Sequence, residues 1–152
     1  MSLRLTSRAF QDGGRIPRIC SRRGGNHSPA LTWTGVPPGT RSLALIVDDP
    51  DAPSGLFTHW VVYGINPAVT GVDEHLPASP VLMNGARQGI NGFDEQGYSG
   101  PQPPRGTHHY VFHLYALDTD TNMPGGLSRQ EVDDAMEGHI LEEATLTGRY
   151  SH

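Results

Sequence analysis

Lysine is absent from the 152 residues; all eleven basic side chains are arginine. Covalent chemistry through a lysine Schiff base is therefore excluded. Cysteine occurs once, at Cys20, so no intrachain disulfide can form and an extracellular cysteine framework is ruled out. Cys20 lies in no nucleophile motif and reads as a small half-buried residue. Long apolar runs are missing as well: nothing approaches the ~18 residues of a membrane span. The opening Met-Ser-Leu-Arg-Leu-Thr-Ser-Arg lacks the apolar core of a signal peptide, and a soluble cytoplasmic protein is the expectation. Runs of positive charge are also lacking. With a net charge of −5 and no basic cluster along the chain, nucleic acid and anionic membranes are poor partners.

Glycine and proline are abundant, at 19 and 13 residues. Apolar stretches nevertheless recur throughout, which indicates a turn-rich globular protein and not a low-complexity one. The length suits one domain, residues 1–152, with one core. Residues 2–7 alternate, with Leu3 and Leu5 on one face, and predict a strand. Asp12-Gly13-Gly14 is a hairpin signal leading into a second strand over 15–19. Residues 31–34 alternate again, and 42–47 are apolar throughout, as a buried strand requires. Residues 59–65 predict a strand with His59, Val61, Tyr63 and Ile65 on one face. The glycine-rich stretch from 67 to 106 is an ordered loop region wrapped on the body, of a length usually tied to function. Residues 107–117 form the longest strand, apolar on both faces. Ser128 and Glu131 make a capping box for a helix that Gly138 ends. A short helical turn over 139–144 and a strand over 146–150 complete the reading.

Two stretches carry candidate chemistry. The first is Asp49-Pro50-Asp51-Ala52-Pro53, followed after a short loop by His59-Trp60-Val61-Val62. The second is Gly100-Pro101-Gln102-Pro103-Pro104-Arg105-Gly106-Thr107-His108-His109-Tyr110. Each is a proline-stiffened turn that feeds a histidine into the start of an apolar strand. Were the two strands neighbours, Asp49, Asp51, His59, His108 and Tyr110 would line one pocket. Carboxylates beside imidazoles favour the imidazolium. Such a pocket suits an anion, or a zwitterion whose ammonium faces aspartate.

These motifs resemble the phosphatidylethanolamine-binding protein family, in its short bacterial form, often described as Raf kinase inhibitor-like. Further matches are Asn26-x-Ser28-Pro29-x-Leu31-x-Trp33, Asn91-x-Phe93, Tyr115-Ala116-Leu117-Asp118 and Glu137-Gly138-His139-Ile140-Leu141. The resemblance implies a mainly β fold: a β-sandwich with a large central sheet, a smaller sheet and one or two short helices near the C-terminus. It implies a small pocket for phosphate-like anions and phospholipid headgroups, lined by Asp49, Asp51, His59, Gly100, Pro101, His108 and Tyr110. Where many relatives carry arginine after the second histidine, this chain has His109, which should point to the opposite face. The resemblance also implies a possible protease or kinase target and a homodimer.

A hydrolase using His59 or His108 as general base is the competing class, but no Gly-x-Ser-x-Gly element is present. Asp49, Asp51, His59 and His108 are chemically reasonable metal ligands. Their spacing matches no recognised metal motif, so neither metal nor cofactor is expected.

Overall fold

The computed structural model describes residues 2–82, 85–120 and 123–151. Eight strands form among them: β1 (Arg4–Thr6), β2 (Leu31–Thr34), β3 (Ser42–Asp49), β4 (Phe57–Ile65), β5 (Gly71–Val72), β6 (Arg87–Gln88), β7 (Thr107–Leu117) and β8 (Ile140–Ser151). One helix, α1 (Arg129–Met136), lies between the last two strands. The large sheet has the order β6-β4-β3-β7-β8 and the small one β1-β2-β5, with antiparallel pairing throughout. The expected mainly β architecture of two sheets is therefore observed. No helix among the described residues is long and apolar enough to cross a membrane.

The two faces of the large sheet have different partners. Leu43, Leu45, Val47, Trp60, Val62, Phe112 and Leu114 pack toward the small sheet, meeting Leu5, Leu31 and Trp33 in the main core. Ala44, Ile46, Val61, Tyr63 and Leu117 face the other way, against Val132 and Met136 of α1. The α1 capping box forms as the sequence predicts: the Ser128 hydroxyl accepts from the Glu131 N–H, and the Glu131 carboxylate accepts from the Ser128 N–H. Gly138, at φ +80°, ends the run.

Three expectations need correction. Residues 15–19 do not form a strand. After a single parallel bridge between Arg15 and Arg149, Pro17, which has no N–H for a ladder, starts a short 3₁₀ turn over Arg18–Cys20. Residues 139–144 are not helical; from Ile140 on they belong to β8, which pairs with β7 from Leu117↔Ile140 to Thr107↔Ser151. The long edge of β7 offers a full ladder there, and this outweighs a weak local helical pattern.

The third correction concerns β4, and it places the site. Val47 lies opposite Trp60, yet Asp48 lies opposite Thr58, so β4 carries one extra residue, His59. A second extra residue falls between Val62 and Ile65, where Gly64 adopts φ +66°. Each bulge reverses the alternation of faces. Val61 and Tyr63 therefore pack beneath α1, while Ile65 joins the main core and His59 turns to the Asp49 and Tyr110 side.

Candidate functional site

Asp49 ends β3, His59 sits in the β4 bulge, and His108 and Tyr110 lie two apart near the start of β7. Antiparallel pairing of β3 with both neighbours brings all four to one cavity of about 180 Å³. Ala52, Pro53, Phe57, Phe93, Pro103 and Pro104 supply apolar walls. Asp49, His59, His108 and Tyr110 are all buried, so their polar atoms must find partners in the protein or in a ligand.

Both imidazoles are held by the same nitrogen. His59 Nδ1 lies 2.7 Å from the Ser99 carbonyl oxygen. A carbonyl only accepts, so Nδ1 carries the proton and Nε2 is left with its lone pair in the neutral ring. His108 Nδ1 donates to Asp49 Oδ2 at 2.6 Å, and again Nε2 is the remaining functional atom. Burial lowers the His59 pKa, outweighing the Ser99 carbonyl and the nearby Asp49 charge, both of which favour imidazolium. The sign follows. Protonating His59 costs the folded state more than the unfolded chain, so its stabilising contribution is complete above about pH 6.5 and is lost as pH falls through its lower folded value. A proton-detected histidine titration is expected to place the His59 midpoint below about pH 6.5. A midpoint at or above that value would overturn this account.

The Tyr110 hydroxyl stands apart. Among the described residues it is the one buried side-chain polar atom without a hydrogen-bond partner. The Gln102 backbone approaches it without hydrogen-bonding geometry. Burial, reinforced by Asp49, raises its pKa far above the physiological range, so it remains a donor.

The other expected residues have different placements. Asp51 is exposed and does not line the cavity; its Oδ2 accepts from the His109 N–H and from His109 Nδ1, both at 2.8 Å. Those bonds lower its pKa. Asp51 therefore fastens the β3–β4 turn to β7, while its own N–H donates to Asp49 Oδ1 at 2.8 Å. His109 does face away from His108, and it takes up Asp51. Gly100 and Pro101 sit behind the cavity wall. The Pro101 carbonyl accepts from the Arg22 N–H, and a Cβ on Gly100 would lie 2.0 Å from the Cys20 carbonyl oxygen.

Several residues that support the site lie outside the two histidine-bearing motifs, and Asn26 and Asn91 stand in the sequence only as further family matches with no role assigned. Asn26, in the left-handed region at φ 56°, donates to the Tyr98 carbonyl and accepts from the Gly100 N–H. It thereby fixes Ser99, whose carbonyl holds His59. Arg22 donates to Ser99 Oγ, pairs with Glu95 at 2.9 Å and stacks 3.8 Å from the Phe93 ring. Asn91 closes the 91–97 turn by donating to the Gly97 carbonyl and accepting from Phe93 and Glu95. The signal was available: Asn26 and Asn91 are polar residues fixed within glycine-rich loops, where side-chain amides replace missing backbone pairing. Cys20 is buried, and its thiol is pushed up to about 11, as suits a packing residue.

An antiparallel sandwich whose large sheet carries two tethered histidines and an aspartate in one small cavity is a ligand-binding β-fold. The family model for phosphatidylethanolamine-binding proteins matches residues 6–151. A relative from Methanothermobacter thermautotrophicus, called UPF0098 protein, is 50% identical over 148 residues, covering 97% of this chain and 98% of the relative. Among solved structures, a putative phosphatidylethanolamine-binding protein homolog from Chlamydia trachomatis, CT736, is 38% identical with a TM-score of 0.91, covering 99% of this chain and 98% of that one. YbcL of E. coli, described as a new member of the mammalian family, is 32% identical with a TM-score of 0.93, covering 100% and 99%. The chain belongs to the phosphatidylethanolamine-binding protein family.

Proposed function

We propose that the protein binds a small phosphate-type anion, free or as the phosphoryl group of a headgroup such as phosphoethanolamine, in the cavity of Asp49, His59, His108 and Tyr110. The observation that carries this reading is the unpartnered Tyr110 hydroxyl, a buried donor on a residue that lines the cavity beside Asp49, His59 and His108. The other groups complement it. His108 is held through Nδ1 by Asp49, which leaves Nε2 free to donate to an anionic oxygen in the imidazolium form. Neutral His59 presents an Nε2 acceptor, which fits the remaining P–OH of a monohydrogen phosphate or an ammonium group. A volume near 180 Å³ is below the usual range for drug-sized ligands and suits a small headgroup. The apolar walls at Phe57, Phe93 and Pro104 accommodate an organic substituent on the anion. Asp51, Gly100 and Pro101 serve this site by shaping its walls. Asp49 and Asp51 bracket the turn, and Gly100 and Pro101 dock the second loop.

Calorimetric titration with inorganic phosphate and with phosphoethanolamine tests the proposal. Wild type is expected to bind at least one of them, and His108→Ala to bind neither. Tyr110→Phe separates binding from folding. It removes an unsatisfied buried hydroxyl, so the free protein should gain up to about 1 kcal/mol of stability, while affinity falls about tenfold because a hydrogen bond to a charged group is lost. Absence of binding to both ligands by wild type, or unchanged affinity in Tyr110→Phe, would overturn the reading.

A further inference from the structure

On the other side of the Gln102–Pro103–Pro104 wall lies a second groove, of about 350 Å³, lined by Arg18, Ser21, Arg23, Pro101, Tyr150 and Ser151 in addition to that wall. Among the described residues no carboxylate lines it. The arginines that do form ion pairs among the described residues are Arg8, Arg22 and Arg129. Among the described residues neither Arg18 nor Arg23 has a carboxylate within 4.0 Å. Arg23 is instead held by a neutral partner. With the Gln102 amide oxygen turned toward it, that oxygen accepts from Arg23 Nε at 2.9 Å and from its terminal nitrogen at 3.1 Å. Such a contact orients a guanidinium without neutralising it. A third cation, Arg15, lies over the Tyr150 ring at 5.4 Å. Three uncompensated guanidiniums around one groove form an anomaly on a chain of net charge −5. Arg15, Arg18 and Arg23 all fall in the stretch from 15 to 23, a basic cluster that the reading of the sequence passed over, and the fold sets that stretch beside Tyr150 of the distant β8.

We propose that this groove is an anion site for a diphosphate, with Arg18 and Arg23 as its binding groups. Guanidinium forks match phosphoryl oxygens geometrically, whereas carboxylate-lined or apolar walls would reject them. The groove has about twice the volume of the cavity next to it, and two lining arginines with Arg15 beside them suit two linked phosphoryl groups better than one. The site does not depend on the Asp49–His108 cavity being occupied; the two share only the Gln102–Pro104 wall. A free pyrophosphate and the diphosphate of a nucleotide present the same chemistry, and the Tyr150 ring distinguishes them only if it stacks on a base.

The test is a backbone NMR titration of the whole chain with sodium pyrophosphate, and separately with ADP. Wild type is compared with Arg18→Gln/Arg23→Gln, with Arg4→Gln/Arg41→Gln as a control of equal charge change, and with His108→Ala. Shifts are expected to centre on Ser21, Gln102 and Ser151. Affinity should fall more than about tenfold in Arg18→Gln/Arg23→Gln, because two charge-assisted contacts are removed. It should stay within about twofold in the control and in His108→Ala, where only screened, distant charge or another cavity is altered. Tighter ADP binding assigns the groove to a nucleotide diphosphate, and tighter pyrophosphate binding to the free anion. Equal loss in the two double variants, loss in His108→Ala alone, or no saturable shift overturns the proposal. An oligoglutamate peptide that binds as well as pyrophosphate overturns the phosphoryl assignment.

Discussion

Replacing Gly100 with alanine is expected to destabilise the protein by about 3 kcal/mol or more, at or beyond the upper end of the usual overpacking range. The new Cβ would lie 2.0 Å from the Cys20 carbonyl oxygen and 2.9 Å from the Arg22 nitrogen. Both obstacles are backbone, and neither can swing aside. The segment they belong to is fixed from several directions: the Cys20 carbonyl accepts from the Tyr98 hydroxyl at 2.7 Å, and the Gly100 N–H donates to Asn26 at 2.7 Å. Relief therefore requires the 20–26 loop and the Gly100 loop to part, releasing Ser99 from His59. For a chain of this size the loss corresponds to a fall in melting temperature of roughly 6–12 °C. Gly106→Ala is the comparison. Gly106 has open space around it but φ +69°, so only the left-handed backbone penalty of roughly 1–2 kcal/mol applies. Thermal unfolding of the two variants distinguishes them, and equal losses would show that the close approach at Gly100 is not a tight one.

A second large effect belongs to the opposite face of the large sheet. Asp48 is buried beneath α1, where its carboxylate meets the Arg129 guanidinium, the Thr58 hydroxyl at 3.1 Å and His113 Nε2 at 3.5 Å. Arg129 also holds Asp133 at 3.0 Å, and His113 Nδ1 reaches Glu143 at 2.6 Å. Arg129→Met would leave a buried carboxylate with only partial compensation, at an expected cost of about 3 kcal/mol. Removing both charges, in Asp48→Asn/Arg129→Met, should recover most of that loss, since a buried pair contributes little net stability once its desolvation is counted. Urea unfolding of the single and double variants measures the coupling. Anion affinity should be unchanged in both, because Asp48 and Asp49 point to opposite faces. A double variant as unstable as the single would refute the assignment.

Neighbouring aspartates with separate duties illustrate what the sequence could and could not convey. The motif begins at Asp49, one residue after Asp48, and strand alternation gives the reason: Asp48 faces the helix and Asp49 the cavity. Convergence of the two histidine-bearing motifs was also legible, because each ends in a strand of strong apolar pattern. The face of His59 was not legible. Strict alternation groups it with Val61 and Tyr63, and a bulge is set by pairing with β3, which no local pattern reports. The strand over 140–145 was missed for a related reason, since its partner β7 supplies the ladder that its own residues only weakly favour. The ion pairs of His113 with Asp48 and Glu143 depend on strand register and on the position of α1, neither of which a local pattern reports. Asp51, Gly100 and Pro101 stand outside the cavity lining, and the motif could not tell a lining residue from one that braces the wall.

The extra residue at His59 has a consequence for how this protein could change over time. Side-chain identity alone does not put an imidazole in the cavity; the number of residues between Asp49 and Trp60 does so as well. Loss of one residue there would let β4 pair without interruption and keep a regular sheet, yet histidine at that point would turn under the helix. A substitution-based reading would score such a chain as nearly identical. In this strand, single-residue insertions and deletions are the changes that can switch the cavity on or off while the sandwich persists.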